Sequence, residues 1–208
     1  MLDANRFYTF NDYFDLNASV EQILAEFGYA YQQEFLELPF FMHPDPHVTN
    51  ALAQTYRDVL PYARLTSETA KREILISPFL IEVVRATHAR LNIEYALSVE
   101  RRLNGSLDYL LQSERELIVI EAKKGDLDRG FVQLAVELVA LDVAQSARPT
   151  TRFYGAVTIG ELWRFGRLDR GDKRITQDLH GYRLPEDVAT LFGIVLGVLR
   201  SDVQSPPG

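Results

Sequence analysis

Four consecutive aliphatic residues, Leu117-Ile118-Val119-Ile120, run directly into Glu121-Ala122-Lys123, and this stretch constrains the fold more than any other. A short, uninterrupted apolar run rich in β-branched residues reads as a strand buried on both faces. Side chains alternate along a strand, so Leu117, Val119, Glu121 and Lys123 share one face and Ile118, Ile120, Ala122 and Lys124 the other. A carboxylate and an ammonium therefore arrive together at the end of an apolar face, with Cα atoms about 7 Å apart. Leaving either buried and unpaired is costly, so both are expected to converge on one small site. The bland alternative is a surface pair at a fraying strand end. Only four lysines stand against eighteen arginines in the chain, which favours the site.

Two strand-like runs, IEYALSVERRL and SLDYLLQ, precede this stretch, and Asn104-Gly105 between them predicts a two-residue hairpin. A charged turn at residues 113–116 then leads into LIVIEAK. The second hairpin strand carries Asp108 among Leu107, Tyr109, Leu110 and Leu111. Two carboxylates on neighbouring strands, Asp108 and Glu121, form a hard-oxygen site suited to Mg²⁺ or Mn²⁺. An ion there would bridge to a phosphodiester and lower the pKa of a bound water, while Lys123 would hold that water and counter developing negative charge.

Helices flank the three strands. Residues 66–87 open with Thr66 or Ser67 as a cap and place Ile74, Ile81 and Val84 toward a core, with Pro78 as a kink. From Asp128 to about Ser146, Val132, Val136, Val139 and Val143 recur on one helical face, capped by Asp126 or Asp128. RFYGAVTIG and ELWRFGRL read as two more strands, a polar basic segment follows, and residues 185–202 form a closing helix. At the front, Ser19 caps a helix expected over residues 19–37, a proline-rich loop spans 38–47, and a second helix runs over 48–60. Strands alternating with helices define an α/β class.

The net charge is −7, which argues against a nucleic-acid partner until its distribution is considered. Residues 1–60 hold nine acids against Arg6 and Arg57, whereas residues 61–208 hold twenty of each sign. A neutral body thus sits behind an acidic front, which is the expected surface for a homodimer or partner protein. A regulatory role, in which this front mimics phosphate charge, is a third reading. No cysteine is present, excluding disulfides and thiolate metal sites. No basic start followed by an apolar run is visible, and the longest greasy stretch, residues 191–199, falls short of the roughly 20 residues a bilayer needs. The expectation is a soluble, cytoplasmic protein without membrane contact. No GxxxxGK phosphate loop occurs, so nucleotide-driven translocation would need another chain.

Three helix- and strand-borne motifs resemble the PD-(D/E)xK nuclease superfamily in their joint order: helix, three-strand meander with Asp108 then Glu121-x-Lys123, helix, strand. SETAKREILISPFL, with Glu68, Arg72 and Pro78, resembles the helix opening the nuclease domain of type I restriction enzyme subunits, and GAVTIGELWRF resembles a later segment of that family. The resemblance spans about residues 66–170. It implies a restriction endonuclease-like αβββαβ core with a mixed central sheet flanked by helices, occupying residues 63–208 behind an N-terminal helical extension, residues 1–62. It further implies a hydrolase that cuts DNA or RNA in restriction, defence or repair, with metal at Asp108 and Glu121, water activation by Lys123, an accessory role for Glu68, and Gln133 lining the site. Leu107 stands where the name-giving proline would be, and Ile159 where the family has asparagine. A catalytically idle nuclease-fold module that binds nucleic acid or regulates a protein is the rival reading.

Glu68 also suits a helix's first turn through the macrodipole alone, and Gln133 also suits a helix edge. Glu73 competes with Glu68 from another face of the same helix. The HPDPH segment, residues 43–47, invites a zinc reading, but prolines on both sides of Asp45 splay its side chains, favouring a rigid interdomain loop. Arg164, Arg167, Arg170, Lys173 and Arg174 form either a phosphate-tracking surface or a charged edge strand that resists aggregation.

Overall fold

The computed structural model describes residues 2, 6–113, 117–123 and 125–200. The predicted turn at residues 113–116, Lys124 and the end of the closing helix fall partly or wholly outside them. The helices are α1 (Phe10–Asp15), α2 (Val20–Ala25), α3 (Pro46–Val59), α4 (Glu68–Lys71), α5 (Ser77–Thr87), α6 (Leu127–Ala144) and α7 (Val188–Leu199). The strands are β1 (Ala30–Glu34), β2 (Arg90–Glu100), β3 (Leu103–Gln112), β4 (Leu117–Ala122), β5 (Arg152–Thr158), β6 (Leu162–Asp169), β7 (Arg174–Asp178) and β8 (Tyr182–Arg183). All eight belong to one mixed sheet in the order β1-β7-β6-β5-β4-β3-β2, with β8 on β6. From α5 onward the chain runs helix, three antiparallel strands, helix, and then β5 parallel to β4. The α6 crossover makes that parallel pairing possible, since a hairpin cannot join parallel strands.

Each face of the sheet has its own apolar layer. On one, α5 and α7 bury Phe79, Val83, Leu191 and Val195 against Tyr109, Leu111, Ile120 and Phe165. On the other, α1, α2 and α6 bury Tyr13, Leu24, Phe131 and Leu138 against Leu110, Phe153 and Ile175. The two-layer cover explains why β4 is flanked on both faces and why its sequence is so apolar. Helix α7 is apolar on all sides because residues 38–41 cross its outer face: a Cβ at Gly197 would lie 2.6 Å from the Phe40 backbone nitrogen, and Phe41 N donates to Gly193 O at 2.9 Å.

Several expectations are corrected here. The helix predicted over 19–37 is capped by Ser19 as expected, which accepts from Gln22 N at 3.2 Å, but it stops at Ala25. Residues 30–34 instead form β1, parallel to β7. The front segment is thus not wholly helical, and it contributes an edge strand to the sheet. The β2–β3 hairpin exists, but its turn is Arg101-Arg102, with Asn104-Gly105 inside β3. Tertiary contacts hold that turn: Tyr8 N donates to Arg101 O at 2.9 Å and the Tyr13 hydroxyl to Arg102 O at 2.7 Å. Gly105 serves close approach, because a Cβ there would lie 2.6 Å from the Phe10 ring.

Ser67 caps the next helix by accepting from Ala70 N at 3.1 Å. Between α4 and α5, however, Arg72–Ile76 form a π-helical turn just ahead of Pro78. A π turn inserts an extra residue and rotates everything beyond it, so Leu75, Ile76, Phe79, Leu80 and Val83 face the core while Ile81 is 54% exposed. In α6 the cap is Asp126, and residues from Gly130 to Leu141 are buried without a break, leaving Val143 exposed. The polar segment after β6 contains β7, which sequence periodicity does not reveal. HPDPH is not a bare loop: Asp45 caps α3 by accepting from His47 N at 2.8 Å.

Candidate active site

Strand pairing brings the two predicted carboxylates near each other. Tyr109 pairs with Ile120 and Leu110 with Val119 across β3 and β4, so Asp108 and Glu121 stand immediately beyond the last paired residues, and the Asp108 charge reaches Glu121. Ile120 is buried in the α5–α7 layer, so alternation turns Glu121 toward α6. Glu121 is only 1% exposed there.

Lys123 follows the strand end, where its backbone N–H donates to Thr158 O at 2.7 Å. Its Nζ returns to 2.5 Å from Glu121 Oε1 and sits 5.1 Å from the Phe14 ring centroid. Gly130 in the first turns of α6 leaves room for it: a Cβ would lie 2.9 Å from Lys123 Cγ. Gln133, one turn later, donates from Nε2 to Glu121 Oε1 and Glu137 Oε1, both at 2.8 Å, and lies 3.3 Å from Asn11 Oδ1 on α1.

Glu68, at the start of α4, completes the group. Burial raises its pKa and nearby Asp108 raises it further, while Lys123 and Arg72 pull the other way. Its companion Glu73 is exposed. Arg72 places NH1 3.6 Å from Asp108 Oδ1 and donates from Nε to the Tyr109 hydroxyl at 3.2 Å. The structure brings Glu121, Lys123 and Gln133 into direct contact, with Asp108 and Glu68 within electrostatic reach of them.

Sequence reasoning missed three members. Glu137, fully buried, stands four residues after Gln133 on α6, and that i,i+4 spacing of two polar residues in an apolar helix is a readable signal. Asn11 and Phe14 reach the cluster only through tertiary packing of α1, for which the local sequence carries no signal.

The electrostatics are those of crowded carboxylates. Burial pushes Glu121 up to about 7, and Asp108 adds to this, while Lys123 holds it back. Burial also pushes Glu137 well up, with Glu121 acting in the same direction. For Lys123, burial acts to lower the pKa, but the carboxylates of Glu121, Glu137 and Asp108 outweigh it and the net shift is upward. Glu121 Oε2, Gln133 Oε1 and Glu137 Oε2 are buried with no hydrogen-bond partner among the described residues. Each such atom costs about 1–3 kcal/mol unless something meets it.

As to a cation, no group of three or more His, Cys, Asp or Glu residues is arranged to hold one among the described residues. The Asp108–Glu121 pair does match an ion that takes few protein ligands and keeps several waters, as Mg²⁺ does. The Glu121 Oε2 lone pairs are the unmet acceptor such an ion would fill.

The predicted basic surface is distributed differently. Arg164 lies 2.7 Å from Asp128, and Arg167 2.9 Å from Asp169 and 3.6 Å from Glu34. Arg170 is 2.6 Å from Asp142 and donates to the carbonyls of Gln145, Arg148 and Thr150, holding the β5 approach in place. Arg174 lies 3.9 Å from Asp172, and Lys173 Nζ sits 5.6 Å from the Tyr29 ring centroid. All four arginines face carboxylates of this chain. No helix among the described residues is long and apolar enough to cross a membrane. No family model matches the chain, and a search of curated proteins finds no match.

Proposed function

We propose that the chain is a divalent-metal-dependent nuclease of the PD-(D/E)xK kind, hydrolysing phosphodiester bonds in DNA or RNA. The observation that carries this reading is that Asp108 and Glu121 stand on adjacent strands just beyond the last β3–β4 pair, with the Lys123 ammonium 2.5 Å from Glu121. The order of elements around it, helix, three strands, helix, strand, accords with the restriction endonuclease-like core.

Asp108 and Glu121 would hold Mg²⁺ or Mn²⁺, which when bound neutralises phosphate charge and makes water a stronger nucleophile. Gln133 fixes the Glu121 carboxylate, and Arg72 fixes Asp108. Lys123, exchanging its carboxylate contact for water and a phosphoryl oxygen, orients the attack and counters developing charge. Glu68, within electrostatic reach of Asp108 and Lys123, would accept a hydrogen bond from that water. Of the four arginines in the basic stripe, Arg174 and Arg164 are the more exposed and are the ones that would exchange a carboxylate for a backbone phosphate, beside the exposed Lys173.

A second reading, an idle site on the same fold, is favoured by one observation: Glu121 is almost wholly buried and its Oε1 is engaged by both Lys123 and Gln133. The two readings part on one experiment. Supercoiled plasmid and single-stranded RNA incubated with the purified chain should be cut with Mg²⁺ or Mn²⁺ and left intact in EDTA, and Lys123→Ala should abolish cutting while the far-UV dichroism is unchanged. Equal cleavage by Lys123→Ala would overturn the mechanism, and absence of saturable Mn²⁺ binding would leave the idle module.

A further inference from the structure

We propose that a cleft of about 550 Å³ on the α6 face of the sheet, the face that also carries this cluster, receives a nucleobase of the substrate, with Gln177 and Gln33 as its polar contacts. The cleft lies between the start of α2, strands β1 and β7, and the first turns of α6. The cluster lies on the same face of the sheet but three strand spacings away, since β6 and β5 stand between β7 and β4, a span of about 14 Å. Leu16 lines it two residues after Phe14, whose ring accompanies Lys123, and Val132 lines it one residue before Gln133, which holds Glu121.

Gln177 points to a ligand. It is 3% exposed, and its Oε1 accepts from both the Tyr31 hydroxyl and Gln33 Nε2, which uses both lone pairs of that oxygen. Its carboxamide nitrogen has no hydrogen-bond partner among the described residues. That nitrogen is not among the wholly enclosed unpartnered atoms, so its two N–H donors open onto the cleft, where a ligand acceptor would take the place of water. Gln33 adds a free amide oxygen on the same wall.

The remaining lining suits a base. Glu21 and Asp128 place carboxylates at the rim that accept from ring N–H and amino groups, while Arg129, and Arg164 at 2.7 Å from Asp128, make the rim mixed in charge. Leu16, Val20 and Val132 supply apolar surface for a flat heterocycle. The volume lies within the range of small-molecule sites, about 300–1,000 Å³. The choice of a nucleobase rests on the nuclease reading, whereas the cleft and its idle donors do not.

The test uses the full chain in EDTA, so that cleavage plays no part. Each deoxynucleoside 5′-monophosphate, and deoxyribose 5-phosphate as the base-free control, is titrated while tyrosine fluorescence and the side-chain amide signals are followed. At least one nucleotide is expected to bind saturably at millimolar concentration, to bind about tenfold or more weakly to Gln177→Met and to Gln33→Ala, the scale of one lost hydrogen bond, and to outcompete the control. Gln33 is exposed, so its variant keeps the fold even where Gln177→Met does not. No saturable binding, equal binding of deoxyribose 5-phosphate, or unaltered affinity in Gln33→Ala overturns the proposal. Absence of metal-dependent cleavage by the unaltered chain would instead overturn the nuclease reading and leave these titrations intact.

Discussion

Glu121 offers its two oxygens to very different surroundings: Oε1 lies 2.5 Å from Lys123 Nζ, while Oε2 is buried without a hydrogen-bond partner among the described residues. One half of the carboxylate is neutralised and the other is held ready. This asymmetry sets the behaviour expected of the cluster.

Removing the ammonium strands the carboxylate. Breaking a buried ion pair by deleting one partner costs about 3–5 kcal/mol. Lys123→Ala should therefore lose stability at pH 8, where Glu121 is ionised, and much less at pH 5, where a carboxyl pushed up to about 7 is already protonated. Urea unfolding at the two pH values reads the difference. An equal loss at both would show that Lys123 contributes through packing alone.

Glu137 carries the opposite sign. Its folded pKa stands above the ordinary value of 4.5, so the folded state holds the proton more tightly. Its stabilising influence is complete below the unfolded value and is lost as pH rises through the folded one. Glu137→Gln, neutral at every pH, should raise the denaturation midpoint at pH 8 and leave it nearly unchanged at pH 4.

Metal affinity should follow the same protons. Carboxylate ligands bind cations only when ionised, so Mn²⁺ binding by calorimetry should tighten from pH 6 to pH 8 and release protons. Asp108→Asn and Glu121→Gln should each abolish the saturable phase. Glu73→Gln, on the exposed side of the same helical segment as Glu68, should leave it untouched.

Gly130 gives a structural check. In an exposed helix interior glycine to alanine gains about 1 kcal/mol. Here the added methyl would lie 2.6 Å from Val157 Cγ2 and 2.9 Å from Lys123 Cγ. Gly130→Ala is expected to destabilise by about 1–3 kcal/mol, the scale of overpacking, and to lower cleavage by displacing Lys123. A stabilised, fully active variant would contradict the placement of that lysine.

What the sequence discloses follows from which residues are apolar. LIVIEAK, the meander before it and the long α6 are legible because one period dominates each. Strand β7 is not, since Thr176, Gln177 and Asp178 are buried polar residues stabilised by partners far away in sequence. Gln177 accepts from Tyr31 and Gln33, and Asp178 accepts from the Leu36 N–H, and no local pattern announces such pairs. Strand β1 hides for the same reason. The Asn-Gly signal misplaces the hairpin turn because Asn104 spends its side chain on Ser98 Oγ and Glu100 O, inside the ladder. In the candidate site, Asp108, Glu121 and Lys123 are visible as charges interrupting apolar runs. Asn11 joins from 122 residues away and has no such contrast.

The π-helical turn at Arg72–Ile76 separates two angular settings within one continuous rod. Arg72, the first residue of the turn, reaches Asp108, with Glu68 upstream within reach of the same charge; downstream, Phe79 and Val83 face the sheet. Because the extra residue absorbs the mismatch, the half that meets the acidic cluster and the half that packs the core need not share a helical phase. Deleting one residue inside the turn would restore a plain α-helix and swing the upstream side chains by about 100° about the axis, one residue's share of a 3.6-residue turn. The hydrophobic layer would remain seated while the acid and the guanidinium left the site, so this one-residue insertion behaves as the swivel that sets their aim.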